Sequence, residues 1–228
     1  MSKINIAIAG IGNCASALIQ GISFYSKIPQ GKFIPGLMHP KLGGYSLKEI
    51  KVVAAFDVDK RKVGKTLKQA IFAPPNCTTT IAQNIINSRL PVYMGPILDS
   101  IAAHMASLPQ DKAFLPSSKK PVDVVKVLRQ SGADMLINFL PVGSQQAVEF
   151  YAEAALKAGI GFINCIPVFI ASNPNWAKKF ERAKLPVIGD DVKSQVGATI
   201  THRVLAQLFQ DRGVVLDRTY QLNIGGNT

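Results

Sequence analysis

Hydrophobic and polar residues alternate along this chain in two rhythms, one of short apolar runs and one of helical spacing. The pattern predicts a strand over about residues 3–9, a helix over 13–26, a strand over 51–57 and a helix over 59–70. Further on it predicts a helix over 121–131, an apolar strand from Asp134 to Leu140, a helix from Ser144 to Lys157 closed by Gly159, and a strand over 160–165. A helix from Asn175 to Ala183, a short strand from Pro186 to Gly189, a long helix from Gln195 to Arg212 and a strand from Val214 to Ile224 complete the reading. Strands that take turns with helices imply a parallel sheet with right-handed crossovers. Two stretches break the rhythm. Ile28 to Ser46, rich in Gly and Pro, lengthens the first crossover and reads as a functional loop. Ala73 to Lys120 has several prolines and weak periodicity, and is expected to be irregular apart from one helix near Ile97 to Ser107.

Composition narrows the class. A chain of 228 residues, 47% hydrophobic with a mean hydropathy of +0.18, can bury a sizeable core. Its apolar runs, such as Ile4 to Ile11 and Val52 to Phe56, stop well short of the roughly 20 residues a membrane span needs. A single Lys3 precedes the first strand and a glycine turn follows it, so no signal peptide is expected and the cytoplasm is the default location. Cys14, Cys77 and Cys165 are odd in number and fall in no CxxC pattern, which argues against a disulfide framework and a zinc site. His39, His104 and His202 are equally scattered, and no metal site is expected.

The formal charge of +12 favours anionic partners, phosphates or nucleic acid. The basic residues are dispersed (Lys60, Arg61, Lys62, Lys65 and Lys68, then Lys178, Lys179, Arg182 and Lys184), without the interleaved aromatics of a single-strand binder. They read mostly as solvated helix faces, and neither nucleic acid nor membrane is an expected partner.

The chemistry concentrates at strand ends. Ile4 to Ala9 runs into Gly10-Ile11-Gly12-Asn13-Cys14-Ala15 and then a helix, the strand, turn and helix context of a dinucleotide fingerprint. Gly10 permits the tight turn, Gly12 lets the backbone approach a pyrophosphate, and the helix terminus offers amides to the anion. Asp57 ends the second strand and is suited to hydrogen-bond a ribose diol, which favours NAD over NADP. Its distance from the glycines exceeds the usual spacing of about 20 residues because the Ile28 to Ser46 insertion intervenes. Asp59 reads as the N-cap of the next helix.

Two further strand-to-helix turns, Asn138-Phe139-Leu140-Pro141-Val142-Gly143-Ser144 and Asn164-Cys165-Ile166-Pro167, fall at the carboxyl edge of a parallel sheet, where ligands sit. Each is also a plain Pro/Gly connection. Gly189-Asp190-Asp191-Val192-Lys193-Ser194-Gln195-Val196-Gly197 sets two carboxylates at a strand end and a Lys-Ser pair at a helix start. That helix start reads either as a second anion site, suited to a substrate phosphate, or as a Ser-capped terminus with solvated charges.

Taken with Asn223-Ile224-Gly225-Gly226-Asn227-Thr228, these segments resemble myo-inositol-1-phosphate synthases of the archaeal and bacterial type, over essentially the whole chain. The resemblance implies an α/β fold: a Rossmann-type doubly wound parallel sheet over residues 1–200, with residues 201–228 beginning a second α+β domain for catalysis and tetramer formation. It implies that bound NAD oxidises glucose 6-phosphate at C5, that an enolate closes the ring by aldol attack on C1, and that the ketone is then reduced, so NAD is not consumed. By resemblance, Gly10, Ile11, Gly12, Asn13, Cys14, Asp57, Asn138, Leu140, Pro141, Asn164, Ile166, Asp190 and Asp191 bind the dinucleotide. Ser194, Gln195, Val196 and Gly197 hold the substrate phosphate, and Asp191 and Lys193 act in catalysis.

The sequence departs from the family pattern by stopping at Thr228, whereas the family continues well beyond. An incomplete synthase sequence is the expectation, without the family's later lysines and most of its tetramer-forming sheet. Two other readings stay open: an NAD-dependent dehydrogenase and a catalytically inert dinucleotide-binding module.

Overall fold

The computed structural model describes residues 3–29, 34–86, 89–99, 108–193 and 196–222. The chain forms two compact units, Met1–Asp191 and Val192–Thr228.

In the first unit, β1 (Ile4–Ala9) leads into α1 (Asn13–Tyr25), and a small antiparallel hairpin, β2 (Lys41–Leu42) and β3 (Tyr45–Ser46), precedes β4 (Ile50–Asp57). There follow α2 (Leu67–Ala70), β5 (Tyr93–Met94), α3 (Val124–Ser131), β6 (Met135–Asn138), α4 (Gln145–Ala158), β7 (Gly161–Asn164), α5 (Pro174–Arg182) and β8 (Val187–Ile188). Six strands form one parallel sheet in the order β5-β4-β1-β6-β7-β8. The chain thus winds outward from β1 in one direction and then returns to wind outward in the other, and the reversal lies between β1 and β6. Ligand crevices of open α/β sheets lie at such a reversal.

β1 is apolar on both faces because helices cover both. Ala7 and Ala9 pack with Phe56, Leu128, Leu136, Val148, Tyr151 and Phe162 in one core layer. Ile6 and Ile8 pack with Ile11, Ile19, Val52, Leu67 and Val92 in the other. Local signals end the helices where they are needed. Gly132 and Gly159 take left-handed conformations (φ 63° and 77°) after α3 and α4, Asp123 caps α3 through the Lys126 amide, and Asn173 with Pro174 opens α5.

The α/β Rossmann-type architecture is therefore as expected; β5 adds an edge strand from the segment expected to be irregular, and three expected elements differ. The helix expected over 59–70 is a run of turns followed by the single helical turn of α2. The Asp59 side chain accepts from the Arg61 and Leu115 amides instead of capping a helix, and Gly64 (φ 80°) breaks the run before Thr66 caps α2. Such competition between a short polar side chain and the helical ladder is what disfavours Asp inside helices. Of the helix expected near Ile97 to Ser107, residues 97–99 are non-helical and the remainder lies outside the described residues, as does His104.

The third difference is in the second unit, which holds α6 (Ala198–Asp211). Residues 214–222 of the expected strand Val214 to Ile224 form no strand. They return along α6, where Thr219 Oγ1 lies 2.6 Å from His202 Nε2 and Gln221 Nε2 donates to Thr199 Oγ1 at 3.2 Å. A strand exists only through its ladder, and among the described residues none pairs with this segment. Asn223 and Ile224 lie outside the described residues.

Candidate functional site

The carboxyl ends of β1, β4, β6 and β7 meet at one edge of the sheet. Gly10 leaves β1 at φ 87° with its amide bonded to the Phe56 carbonyl at 2.9 Å. A Cβ there would lie 2.7 Å from the Phe139 carbonyl oxygen, so only glycine lets the β1 and β6 turns pass so closely. Gly12 differs. Its φ is −88°, a Cβ would meet nothing within 4 Å, and it caps α1 without a side-chain acceptor. A helix terminus with open space before it and no capping side chain is suited to a phosphate.

Asp57 closes this turn from β4. Its Oδ2 accepts from the Ile11 amide at 2.8 Å, and its Oδ1 accepts from the Val58 and Asp59 amides at 2.7 and 2.8 Å. Asn13, at the start of α1, accepts from the Cys77 amide and the Thr78 hydroxyl, tying residues 77–78 beside the turn. Cys14 is exposed next to it.

A second polar system links the other two turns. Asn138, ending β6, accepts from the Leu140 amide at 3.2 Å and donates to Asn164 Oδ1 at 2.8 Å. Asn164, ending β7, donates through Nδ2 toward the Ile166 and Val168 carbonyls and Asp190 Oδ1, at 3.1, 2.6 and 2.7 Å. The Asp190 carboxylate also accepts from the Ile170, Ala171 and Ser172 amides at 3.0 to 3.1 Å. Both asparagines are buried, and a buried amide in hydrogen-bond contact on both sides fixes its neighbours. The Leu140-Pro141 and Ile166-Pro167 turns are thereby set in place, with Leu140 and Ile166 buried beside them. Burial of Cys165, with smaller contributions from Cys14 and Asp191, pushes its thiol up to about 11.

Burial opposes ionisation of Asp190, but the Asn164 amide and the three backbone amides outweigh it and hold its pKa below the ordinary value. A depressed carboxyl pKa gives stability that is present above the unfolded value near 4 and is lost as pH falls through the folded value. Asp190→Asn is expected to cost about 1–3 kcal/mol at pH 7, from weakened hydrogen bonds to a charged acceptor. The gap to the wild type should narrow below about pH 4; Asp59, also depressed, is common to both proteins. Urea unfolding at pH 7 and pH 3 checks this, and a gap equal at both pH values contradicts it.

Of the residues expected at the site, Gly10, Ile11, Gly12, Asn13, Cys14 and Asp57 converge on the first turn. Asn138, Leu140, Pro141, Asn164, Ile166 and Asp190 surround the neighbouring ones. Asp191 follows Asp190 with φ 72°, a conformation an aspartate tolerates better than most residues. Lys193, Val196 and Gly197 belong to the second unit, where Gly197 caps α6 without a side-chain acceptor. Ser194 and Gln195 lie outside the described residues.

The family model described as myo-inositol-1-phosphate synthase matches residues 197–228. The inositol-3-phosphate synthase of Mycolicibacterium smegmatis is 53% identical over 225 residues, covering 99% of this chain and 60% of that protein. The inositol-3-phosphate synthase of Corynebacterium glutamicum is 52% identical over 226 residues, covering 99% of this chain and 61% of that one. Along 99% of its length the chain is thus similar to inositol-3-phosphate synthases. It spans about 60% of the length of the curated relatives it matches. Among solved structures, that of Ari2 aligns over 99% of this chain and 65% of its own, with a TM-score of 0.82 and 36% identity. A myo-inositol-1-phosphate synthase-related protein from Thermotoga maritima shares the fold, with a TM-score of 0.65 over 92% of this chain and 60% of its own at 22% identity.

Three features of the site escape sequence reading. Lys62, expected on a solvated basic face, is fully buried behind the glycine turn: its Nζ donates to the Ile11 carbonyl and Asn76 Oδ1, both at 2.8 Å. Arg61 is drawn onto Asp59 (2.5 Å) and the Gln110 and Ala113 carbonyls. Asp99 accepts from the Gln146 and Ala147 amides at the start of α4, so a side chain of the chain itself occupies that terminus. In each case at least one partner lies 47 or more residues away in sequence (Ile11 for Lys62, Gln110 and Ala113 for Arg61, Gln146 and Ala147 for Asp99), beyond the reach of periodicity. Among the described residues no group of three His, Cys, Asp or Glu side chains is placed to hold a metal ion, and no helix is long and apolar enough to cross a membrane.

Proposed function

We propose that this chain carries the NAD-binding part of an enzyme that isomerises D-glucose 6-phosphate to 1L-myo-inositol 1-phosphate (1D-myo-inositol 3-phosphate), in inositol and phospholipid biosynthesis. The observation that carries the cofactor reading is the joining of the glycine turn to the acidic strand end, through the 2.8 Å bond from the Ile11 amide to Asp57. The curated relatives named inositol-3-phosphate synthase, at 52–53% identity, support the reaction.

The residues fit a dinucleotide. The open face of Gly12 and the first amides of α1 would receive the pyrophosphate, and Asp57 would accept from a ribose diol. Leu140, Pro141 and Ile166 would line its nicotinamide end, with the Asn138–Asn164–Asp190 bonds keeping their turns in place. When bound, NAD supplies reversible hydride acceptance at a substrate carbon. By the family resemblance, Asp191 and Lys193 would hold and move protons on the substrate alcohols, and Ser194, Gln195, Val196 and Gly197 would anchor the sugar phosphate. The reading takes residues 1–200 as the NAD-binding domain and 201–228 as the beginning of a catalytic and oligomerisation domain, in a cytoplasmic enzyme that is a homotetramer when complete.

The test is an assay for inositol phosphate from glucose 6-phosphate with a catalytic amount of NAD, on the 228-residue chain and on the polypeptide extended through its native reading frame. The reading expects product without net NADH, in the extended polypeptide at least. Net accumulation of NADH would instead make it a dehydrogenase, and dinucleotide binding without turnover in either protein a binding module.

A further inference from the structure

We propose that Lys62 is a positioning residue for the dinucleotide site, holding the Asp57 carboxylate and the Ile11 peptide in the arrangement that selects a ribose diol over a 2′-phosphate. The inference rests on the NAD reading above and adds a determinant of specificity to it.

Lys62 has no exposed surface, and a buried ammonium is retained only where its charge and its protons are met. Its Nζ lies 3.9 Å from Asp57 Oδ2 and donates to Ile11 O and Asn76 Oδ1. Asn76 Nδ2 donates to the same Ile11 carbonyl at 3.0 Å. The residue between Gly10 and Gly12 is therefore gripped on both sides of its backbone, its amide by Asp57 and its carbonyl by Lys62 and Asn76. Two other charges stand nearby. Asp59 is itself buried but is paired with Arg61, so that couple neutralises itself and Lys62 is left as the counter-charge of Asp57. Burial draws the Lys62 ammonium below the ordinary lysine range, while Asp57 and Asp59 favour its charge and Arg61 opposes it.

The consequence for specificity is electrostatic. An ionised Asp57 attracts ribose hydroxyls and repels a 2′-phosphate. Asp57 is only 8% exposed and accepts from the Ile11 amide, while Lys62 and Asn76 hold the carbonyl of the same residue, so without the ammonium the carboxylate is no longer fixed where it meets a ribose diol and faces a 2′-phosphate. A residue that merely filled space would leave the preference between the two cofactors alone.

The experiment is calorimetric titration of the full chain with NAD+ and with NADP+, for the wild type, Lys62→Met, Asp57→Asn and the double variant. The wild type is expected to prefer NAD+. Lys62→Met is expected to weaken NAD+ at least about tenfold and to shrink the NAD+/NADP+ preference by about fivefold or more. In the Asp57→Asn background the same substitution should change NAD+ affinity by less than about threefold, because its effect passes through Asp57. Lys62→Gln, which keeps a hydrogen-bonding amide without the charge, replaces the methionine variant should that one show no cooperative thermal transition, with the same loss of preference expected. A folded Lys62 variant with an unchanged cofactor preference, or with equal effects in both backgrounds, overturns the proposal. A wild-type chain that binds neither dinucleotide overturns the cofactor reading as well, so the two failures are distinguishable.

Discussion

Gly10→Ala is expected to lower the stability of the first unit by about 2–4 kcal/mol, whereas Gly12→Ala, two residues away, should change it by less than about 1 kcal/mol. At Gly10 the backbone has φ 87°, which costs a side-chain-bearing residue about 1–2 kcal/mol, and the new methyl would sit 2.7 Å from Phe139 O and 2.9 Å from Phe139 C. These are main-chain atoms of a strand end packed in the core, so β1 and β6 must move apart. At Gly12 the φ is ordinary and the methyl meets nothing. Dinucleotide binding should rank the two differently from stability. In Gly12→Ala the methyl would stand where the proposed pyrophosphate approaches, and NAD+ affinity should fall at least about tenfold in a protein that melts nearly as the wild type does. For a chain of this size, 2–4 kcal/mol corresponds to a melting point lower by roughly 4–16 °C for Gly10→Ala. Melting curves and NAD+ titrations on both variants check the contrast. A Gly10→Ala protein as stable as the wild type would mean that the turns do not pass as closely as described.

Asn164→Leu is expected to cost about 3–5 kcal/mol, although leucine nearly matches asparagine in size and is apolar. The loss comes from what asparagine leaves behind. Asn138 Nδ2 would lose its acceptor, the Ile166 and Val168 carbonyls their shared donor, and Asp190 one of its four donors, in surroundings where each unmet polar group costs about 1–3 kcal/mol. Because Asn138 and Asn164 satisfy each other, Asn138→Leu combined with Asn164→Leu should cost less than the sum of the two single changes. Urea unfolding of the single and double variants measures this coupling. Additive effects would mean that the two turns are not wired together.

Much of this organisation can be read directly from the sequence. β1, β4, β6 and β7 are recognisable because a parallel strand covered on both faces needs an unbroken apolar run, and Gly10, Asp57, Asn138 and Asn164 stand where those runs stop. The helix ends at Gly132 and Gly159 are legible for an equally local reason, the left-handed residue that closes a helix. What escapes sequence reading depends on tertiary partners. Lys60 to Lys68 has the spacing of a basic helical face, yet Asp59 turns its carboxylate on its own backbone and Lys62 finds Asn76 and Ile11 in the interior. β5 is two residues long, too short for any alternation to register, and exists because Tyr93 and Met94 align with Phe56 and Asp57. The adjacent carboxylates Asp190 and Asp191 look alike in sequence. In the structure the first is surrounded by the 170–172 backbone and Asn164, and the second takes up a left-handed turn.

A crystal structure of the chain grown with saturating NAD+ decides whether the carboxyl edge of the sheet at β1 and β4 receives a nicotinamide dinucleotide. The pyrophosphate is expected against the Gly12 backbone and the first amides of α1, a ribose diol on Asp57, and the nicotinamide toward the Leu140-Pro141 and Ile166 turns. An ordered, empty glycine turn at saturating NAD+, or a dinucleotide bound elsewhere on the molecule, would contradict this placement.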